Sequence, residues 1–281
     1  MADATVEGMA ARWLTSTLAL AVAVPCLLAA CGGADEKASE DPTSTTDAAD
    51  TTFIDDGADA NAVETDTQLL VSSLVSSIES QTFGDGVKAI YLPRSCVTVA
   101  NDAATATAVF TFDRCLGPNG LRGVSGTVTA KYEIKTGSVK LDVTGTGIAV
   151  NSATGVAFTA SATVSADASK RTMAWKSSIS GDTAGKRAFS RSDDFTIFWQ
   201  LGEACFGLDG KSEGQVKSRD IEIEVASYRR CKFGCPEAGG KISVTNVAKS
   251  KTVAVSYDGT NRATFTNANG KDTTILLLCV P

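Results

Sequence analysis

Cysteine is the residue type that offers this chain the most chemistry, and histidine is missing altogether. The 281 residues contain eight cysteines and no histidine. Without an imidazole the chain cannot form a Ser-His-Asp or Cys-His catalytic site, a histidine-ligated zinc site or a histidine pH switch. Any chemistry must therefore come from cysteines, carboxylates, lysines or hydroxyl groups.

Cys31 closes an apolar stretch near the N-terminus. Arg12 is followed by an uncharged, mostly apolar stretch over residues 13–30, which has about the length of a signal-peptide core. The stretch ends in Leu28-Ala29-Ala30-Cys31, which resembles the lipobox of bacterial lipoproteins. The resemblance implies that residues 1–30 are a cleaved signal peptide and that Cys31 is acylated, with palmitate-like chains that anchor the protein to a membrane. An uncleaved membrane-anchor helix is the alternative.

The same resemblance implies a location. Gly32 stands where lipoproteins of the inner membrane carry aspartate, so we expect an exported protein at the outer membrane of a bacterial envelope. We expect its partner to be the membrane, through the lipid. An exported protein does not meet the cell's nucleic acid, so we expect no nucleic-acid partner.

Six cysteines remain once Cys26 leaves with the signal peptide and Cys31 is acylated. An even number of cysteines in an exported chain predicts disulfides, although the sequence leaves their connectivity open. A metal or redox site at Cys231 and Cys235 is the alternative, but these two have no histidine and no second close cysteine pair beside them. The nested order favours three pairs: Cys96–Cys115, Cys205–Cys231 and Cys235–Cys279.

No other motif predicts catalysis. Gly210-Lys211-Ser212 ends like a phosphate-binding loop, but Cys205 stands where that loop has its first glycine. Glu222 and Glu224 share one face of a predicted strand, about 6.7 Å apart, which is the carboxylate spacing of inverting glycosidases. Their neighbour Arg219 favours a solvated charged face instead. We therefore predict no catalytic residue, no cofactor and no metal ion.

Aromatic side chains concentrate in residues 195–199, with the sequence FTIFW. Strand alternation would place Phe195, Ile197 and Trp199 on one face. Such a face indicates either the hydrophobic core or the lining of a ligand site. Four aromatic residues are candidates for the lining of a ligand site: Phe195, Phe198, Trp199 and Trp175.

Charge divides the chain into two parts. Residues 32–66 contain eleven Asp and Glu, a single basic residue, Lys37, and few apolar residues to bury. Such a segment cannot offset its ordering entropy, so we predict a disordered acidic tether over residues 31–66. Residues 67–281 hold 24 basic and 19 acidic residues, a net charge of +5. This surplus indicates either a solvated surface or a cationic face for an anionic envelope glycan or lipid, or for the protein's own tether.

The elements that must position these residues follow from the apolar spacing. After Gly84 the apolar period becomes two, as in strands with one wet face, and turns rich in Gly, Asn and Asp separate the strands. We predict one all-β domain over residues 67–281, an antiparallel meander of about twelve strands in a two-sheet sandwich or an open barrel. Before it, helical spacing over residues 67–81 predicts one short amphipathic helix: Leu70, Val71, Leu74, Val75 and Ile78.

These observations favour a binding or structural module without catalysis, tethered to a membrane by acylated Cys31. A helix followed by a long antiparallel meander also resembles the half-barrels of periplasmic lipoprotein and lipid carriers. That resemblance implies a carrier of hydrophobic ligands, and it concerns the architecture alone. A hydrolase that works without histidine is the remaining alternative. An open, apolar sheet face would favour the carrier.

Overall fold

The computed structural model describes residues 52–75, 85–166, 170–200, 205–231 and 234–279. The predicted signal peptide, Cys31 and the first part of the predicted tether lie outside these ranges, as do residues 76–81 of the predicted helix. No helix within the described ranges is long and apolar enough to cross a membrane.

A single antiparallel sheet of thirteen strands forms most of the part of the chain that the structure describes. Each strand pairs with its neighbours in sequence, so the chain runs as one meander. This arrangement confirms the predicted all-β fold class, and because there is one sheet rather than two, the sandwich alternative is wrong. The strands are β1 Val97–Asp102, β2 Thr107–Cys115, β3 Val124–Lys135, β4 Ser138–Val150, β5 Ala153–Ala166, β6 Lys170–Asp182, β7 Ala188–Gln200, β8 Cys205–Val216, β9 Arg219–Cys231, β10 Lys241–Asn246, β11 Lys251–Tyr257, β12 Arg262–Thr266 and β13 Asp272–Leu276.

The sheet curls around one of its faces. If flat, thirteen strands at about 4.8 Å spacing would be about 60 Å wide, whereas one helix covers only about 10 Å. Side chains on one face are nevertheless buried from β2 to β12, among them Phe110, Leu141, Trp175, Ile223 and Val253. The sheet therefore forms an open half-barrel, and we call its buried side the inner face.

One long helix, α1, spans Thr52–Val75 and packs on the inner face against β4, β8, β9 and β10. The second half of α1 buries a row of aliphatic side chains: Leu69, Leu70, Val71 and Leu74. This half overlaps the helix that the sequence predicts.

The first half of α1 corrects the sequence analysis. The acidic composition predicts a disordered tether up to residue 66, but the structure places residues 52–66 in the helix, so this boundary is wrong. The physical reason is that the segment buries carboxylates as well as apolar groups. Asp56 and Glu64 are as buried as Phe53 and Val63, because arginine side chains of the sheet contact their carboxyl groups.

A second helix, α2, spans Asp85–Ile90, where the sequence predicts strands. It is six residues long, too short for a helical period to appear in the sequence. Val87 of α2 is buried, and the hydroxyl group of Tyr91, just after it, shares a hydrogen bond of 2.9 Å with Ser73 of α1. The segment therefore ties α1 to the chain that enters β1.

Three disulfides staple the half-barrel, and they are the three pairs that the nested order favours. Cys96–Cys115 links the segment before β1 to the end of β2, and Cys205–Cys231 joins the first residue of β8 to the last of β9. Cys235–Cys279 links the chain before β10 to the chain after β13. Because Cys231 and Cys235 are both in disulfides, the alternative of a metal or redox site there is wrong.

Candidate ligand-binding cleft

An apolar cleft lies between α1 and one end of strands β7–β11. Its volume is about 70 Å³. The sheet contributes an apolar wall and the helix contributes a wall that is mostly polar. The sheet wall includes Phe195, Ile197, Phe206, Leu208, Val225 and Val255.

Strand alternation and a bulge build the sheet wall. In β7, Phe195 and Ile197 point to the inner face with the period of two that the sequence shows. Between β8 and β9 the register shifts, so that Leu208 pairs with Tyr228 while Gly210 pairs with Val225. The bulge keeps both Val225 and Tyr228 on the inner face.

Gly210 allows β8 to approach β7 beside the cleft. Its φ is 139°, and a Cβ atom at this position would lie 2.2 Å from the Asp194 carbonyl oxygen. Any other residue would therefore push β8 away from Phe195. The glycine that looked like part of a phosphate-binding loop is thus a site of close packing.

The helix wall presents amide and hydroxyl groups at helical spacing. Asn61, Thr65 and Gln68 lie on one side of α1 and line the cleft. The Thr65 hydroxyl group donates a 2.9 Å hydrogen bond to the Asn61 carbonyl oxygen. Asn61 is 8% exposed, and its side-chain amide hydrogen-bonds with none of the described residues. The cleft therefore offers an unused amide opposite an apolar wall.

Aromatic rings border the cleft on the side of β11. The Tyr228 ring lies 5.8 Å from that of Phe206 and 5.5 Å from that of Tyr257, centroid to centroid. Tyr257 lines the cleft, and its buried hydroxyl group has no hydrogen-bond partner among the described residues. Burial raises the pKa of Tyr257 above its usual value, so the phenol remains protonated at neutral pH and can donate a hydrogen bond.

A buried polar cluster holds α1 on the sheet beside the cleft. We call Glu64, Arg191, Asp193 and Ser212 the helix-anchoring cluster. The Arg191 guanidinium group contacts the Glu64 carboxyl group, and both side chains are at most 1% exposed. Arg191 Nη2 donates to Ser212 Oγ at 2.7 Å, and the same oxygen lies 2.6 Å from Asp193 Oδ1 and 3.1 Å from Glu64 Oε1. The cluster thus joins α1 to β7 and β8.

The helix-anchoring cluster has two carboxyl groups for one guanidinium group. The Ser212 hydroxyl has a single proton, so only one carboxylate can accept it. Burial raises the pKa of Glu64 from 4.5 to about 8, and the charge of Arg191 opposes this only in part. We conclude that Glu64 holds a proton at neutral pH and that the cluster is then electrically neutral.

A second set of ion pairs holds the start of α1 at the opposite end of the strands. Asp56 Oδ1 lies 3.2 Å from Arg187 Nε and 3.3 Å from Lys217 Nζ, and Asp56 also pairs with Arg219. Asp59 pairs with Arg187 Nη1 at 2.7 Å. Part of the excess positive charge of residues 67–281 therefore pairs with the protein's own acidic segment, here Asp56 and Asp59. This is one of the alternatives that the charge distribution predicts.

Comparison with protein-family models, curated proteins and solved structures found no match to this chain. The cleft is therefore interpreted from its own chemistry.

The four aromatic candidates have different positions. Phe195 lines the cleft, as the alternation predicts. Trp175 is buried in the core, where its Nε1 donates to Ser177 Oγ at 3.1 Å, and it does not line the cleft. Phe198 lies on the outer face, with Lys170 Nζ 4.7 Å from its ring centroid. The side chain of Trp199 lies outside the part of the chain that the structure describes.

The carboxylate pair considered for glycoside hydrolysis lies away from the cleft. Glu222 and Glu224 alternate with the buried Ile221 and Ile223, so both point to the outer face. Within the described ranges, no group of three or more Asp, Glu or Cys side chains could hold a metal ion.

Several residues of the cleft and the cluster escape sequence reasoning. Asn61, Thr65 and Glu64 belong to the segment predicted as a tether. The sequence does indicate that Arg191 and Asp193 are buried, because they occupy inner-face positions in the same alternation as the apolar residues of β7. Charged residues at core positions of a strand indicate a buried ion pair.

Proposed function

We propose that this protein is a non-catalytic envelope lipoprotein, tethered by acylated Cys31, whose half-barrel binds an apolar ligand in the cleft between α1 and the sheet. The lipobox supports the tether. The cleft supports ligand binding, because an apolar wall facing solvent gains free energy when a ligand covers it. The proposal thus combines the binding module and the hydrophobic carrier.

The single observation that carries the binding function is the contrast between the two walls of the cleft. The sheet side is aliphatic and aromatic, and the helix side carries Asn61, Thr65 and Gln68. Side chains that only filled a core would not place an amide without a partner among the described residues on the wall that faces Phe195 and Val225. The arrangement suits a ligand with an apolar body and a polar end.

The size of the cleft sets the size of the group it can hold. A volume of about 70 Å³ gives room for roughly five water molecules at about 10–15 Å³ each. That space suits a short alkyl chain or the end of a longer one. A whole lipid would need the space that α1 fills, so we propose that only part of the ligand enters the half-barrel.

Titration with 1-octanol, followed by NMR chemical shifts of the full chain carrying Cys31→Ser, tests the binding function. We expect shifts of cleft residues such as Val225 and Val255. Val255→Phe should weaken binding about tenfold or more, because the added ring occupies the apolar space. Thr264→Phe adds the same ring on the exposed outer face and should leave binding unchanged. Shifts that avoid the cleft, or equal binding by both variants, would reject the proposal.

Membrane fractionation tests the tether. Cys31→Ser removes the acylated thiol, so the variant should leave the membrane fraction. Cys26→Ser is the matched control, because Cys26 is discarded with the signal peptide, and this variant should stay in the membrane fraction. Retention of the Cys31→Ser variant would contradict acylation at Cys31.

A further inference from the structure

Arg230 lies at the rim of the cleft. It is near the end of β9 and pairs directly with Phe206 of β8. Residues directly opposite one another in an antiparallel pair point to the same face, so Arg230 shares the inner face with Phe206 and Leu208. It is half-buried, with apolar cleft residues on one side and the end of the half-barrel on the other.

Neighbouring aromatic rings connect Arg230 to the cleft. Phe206, which pairs directly with Arg230, has its ring centroid 5.8 Å from that of Tyr228, and the Tyr228 ring lies 5.5 Å from that of Tyr257. Burial raises the pKa of Tyr257 and of Tyr228, and the charge of Arg230 opposes the rise in both. Since Tyr257 lines the cleft, the guanidinium group and the apolar wall are adjacent.

Arg230 has no carboxyl partner among the described residues, unlike Arg191 on the inner face and Arg229 on the outer face. Its Nε donates a 2.9 Å hydrogen bond to the Gly234 carbonyl oxygen, and it forms no ion pair. Arg191 contacts the Glu64 carboxyl group, and Arg229, the preceding residue on the outer face, pairs with Glu237 at 3.2 Å. The charge of Arg230 is thus available at the rim.

We infer that the ligand of the cleft is an anionic amphiphile, a short-chain or medium-chain carboxylate, whose head group binds Arg230 while its alkyl chain covers the apolar wall. The inference rests on the proposed function. A carboxylate matches the single positive charge and the planar nitrogen fork of one arginine, whereas a phosphate would bring a larger charge than Arg230 can balance. Tyr257, which lines the cleft with a buried hydroxyl group that has no partner among the described residues, supplies a second donor.

Comparing the affinities of octanoate and 1-octanol distinguishes the contribution of the head group from that of the alkyl chain. With the full chain carrying Cys31→Ser, we expect octanoate to bind more tightly than 1-octanol at neutral pH. Arg230→Gln should weaken octanoate binding by about ten- to a hundredfold, the range of a charge-assisted hydrogen bond, and leave 1-octanol binding unchanged. Arg229→Gln, which removes the same charge from the outer face, should leave both unchanged. Thermal melts of both variants establish that they are folded.

The outcomes distinguish this inference from the proposed function. If 1-octanol binds in the cleft but octanoate binds no more tightly, or if Arg229→Gln weakens octanoate as much as Arg230→Gln, the anionic head group is contradicted and the apolar cleft stands. If neither compound binds, the proposed function itself fails.

Discussion

Arg191 and Asp193 carry opposite charges on the inner face of β7, where their neighbours in the alternation are Phe189 and Phe195. The alternation alone places both charges inside, so the sequence could predict that they are buried. It could not predict their partners. Ser212 and Glu64, which meet in this cluster, are 148 residues apart in the chain. Only the fold brings α1 over β8.

Arg191→Met should destabilise the protein strongly. The substitution leaves the buried Asp193 carboxylate without a cation in its cluster, a change that costs about 3–5 kcal/mol in buried pairs. Lys176→Met is the matched control, because Lys176 pairs with Asp194 on the exposed outer face at 2.8 Å, and exposed pairs contribute about 0–1 kcal/mol. Urea unfolding of both variants measures the difference. Equal losses would show that the helix-anchoring cluster does not stabilise the fold.

The raised pKa of Glu64 predicts how stability changes with pH. The folded protein keeps the proton up to about pH 8, whereas the unfolded chain loses it near 4.5, so the free energy of unfolding should fall as pH rises between these values. Asp66, with its pKa raised to about 6 by burial, acts in the same direction at lower pH. From about pH 6 to about pH 8 the slope should therefore come mainly from Glu64, at most about 1.4 kcal/mol per pH unit.

Glu64→Gln tests this assignment. The amide keeps the shape of the side chain and cannot titrate, so urea unfolding between about pH 6 and about pH 8 should lose most of its slope. A variant that retains the slope of the original protein would place the titrating group elsewhere.

At the scale of elements, the strands are predictable and the first half of α1 is not. Period-two alternation and turn residues indicate about twelve strands, and the structure has thirteen. The sequence does not predict the N-terminal half of the helix, because ion pairs with the sheet stabilise that half. In the sequence, three aspartates of this half look like part of a solvated acidic tether: Asp55, Asp56 and Asp59. The fold places Arg187 against Asp59 and Arg219 against Asp56.

Asp56→Asn should therefore loosen α1. Asp56 is 1% exposed and faces three cations, so its loss leaves Arg187, Lys217 and Arg219 with one counter-charge fewer. We expect about 1–3 kcal/mol lower stability. Asp55→Asn changes the adjacent, exposed residue and should cost less than about 1 kcal/mol. Thermal unfolding followed by circular dichroism compares them, and equal shifts in Tm would contradict docking by charge.

For the whole molecule, the sequence predicts a disulfide-stapled meander without a motif for catalysis. It does not predict the cleft. That site needs β7, β8, β9 and β11 to curl towards α1, and two side chains of its helix wall, Asn61 and Thr65, come from the predicted tether. The disulfide Cys205–Cys231 lies at the same end as the cleft, next to Phe206 and Arg230, and so fixes the two strands that form its rim.

The central claim, that this half-barrel binds an apolar ligand beside α1, is tested most directly by native mass spectrometry of the protein released from its own membranes. We predict a bound apolar compound on the original protein and on Thr264→Phe, and its loss from Val255→Phe. A chain that carries no ligand, or a bound mass that survives Val255→Phe, would contradict the claim.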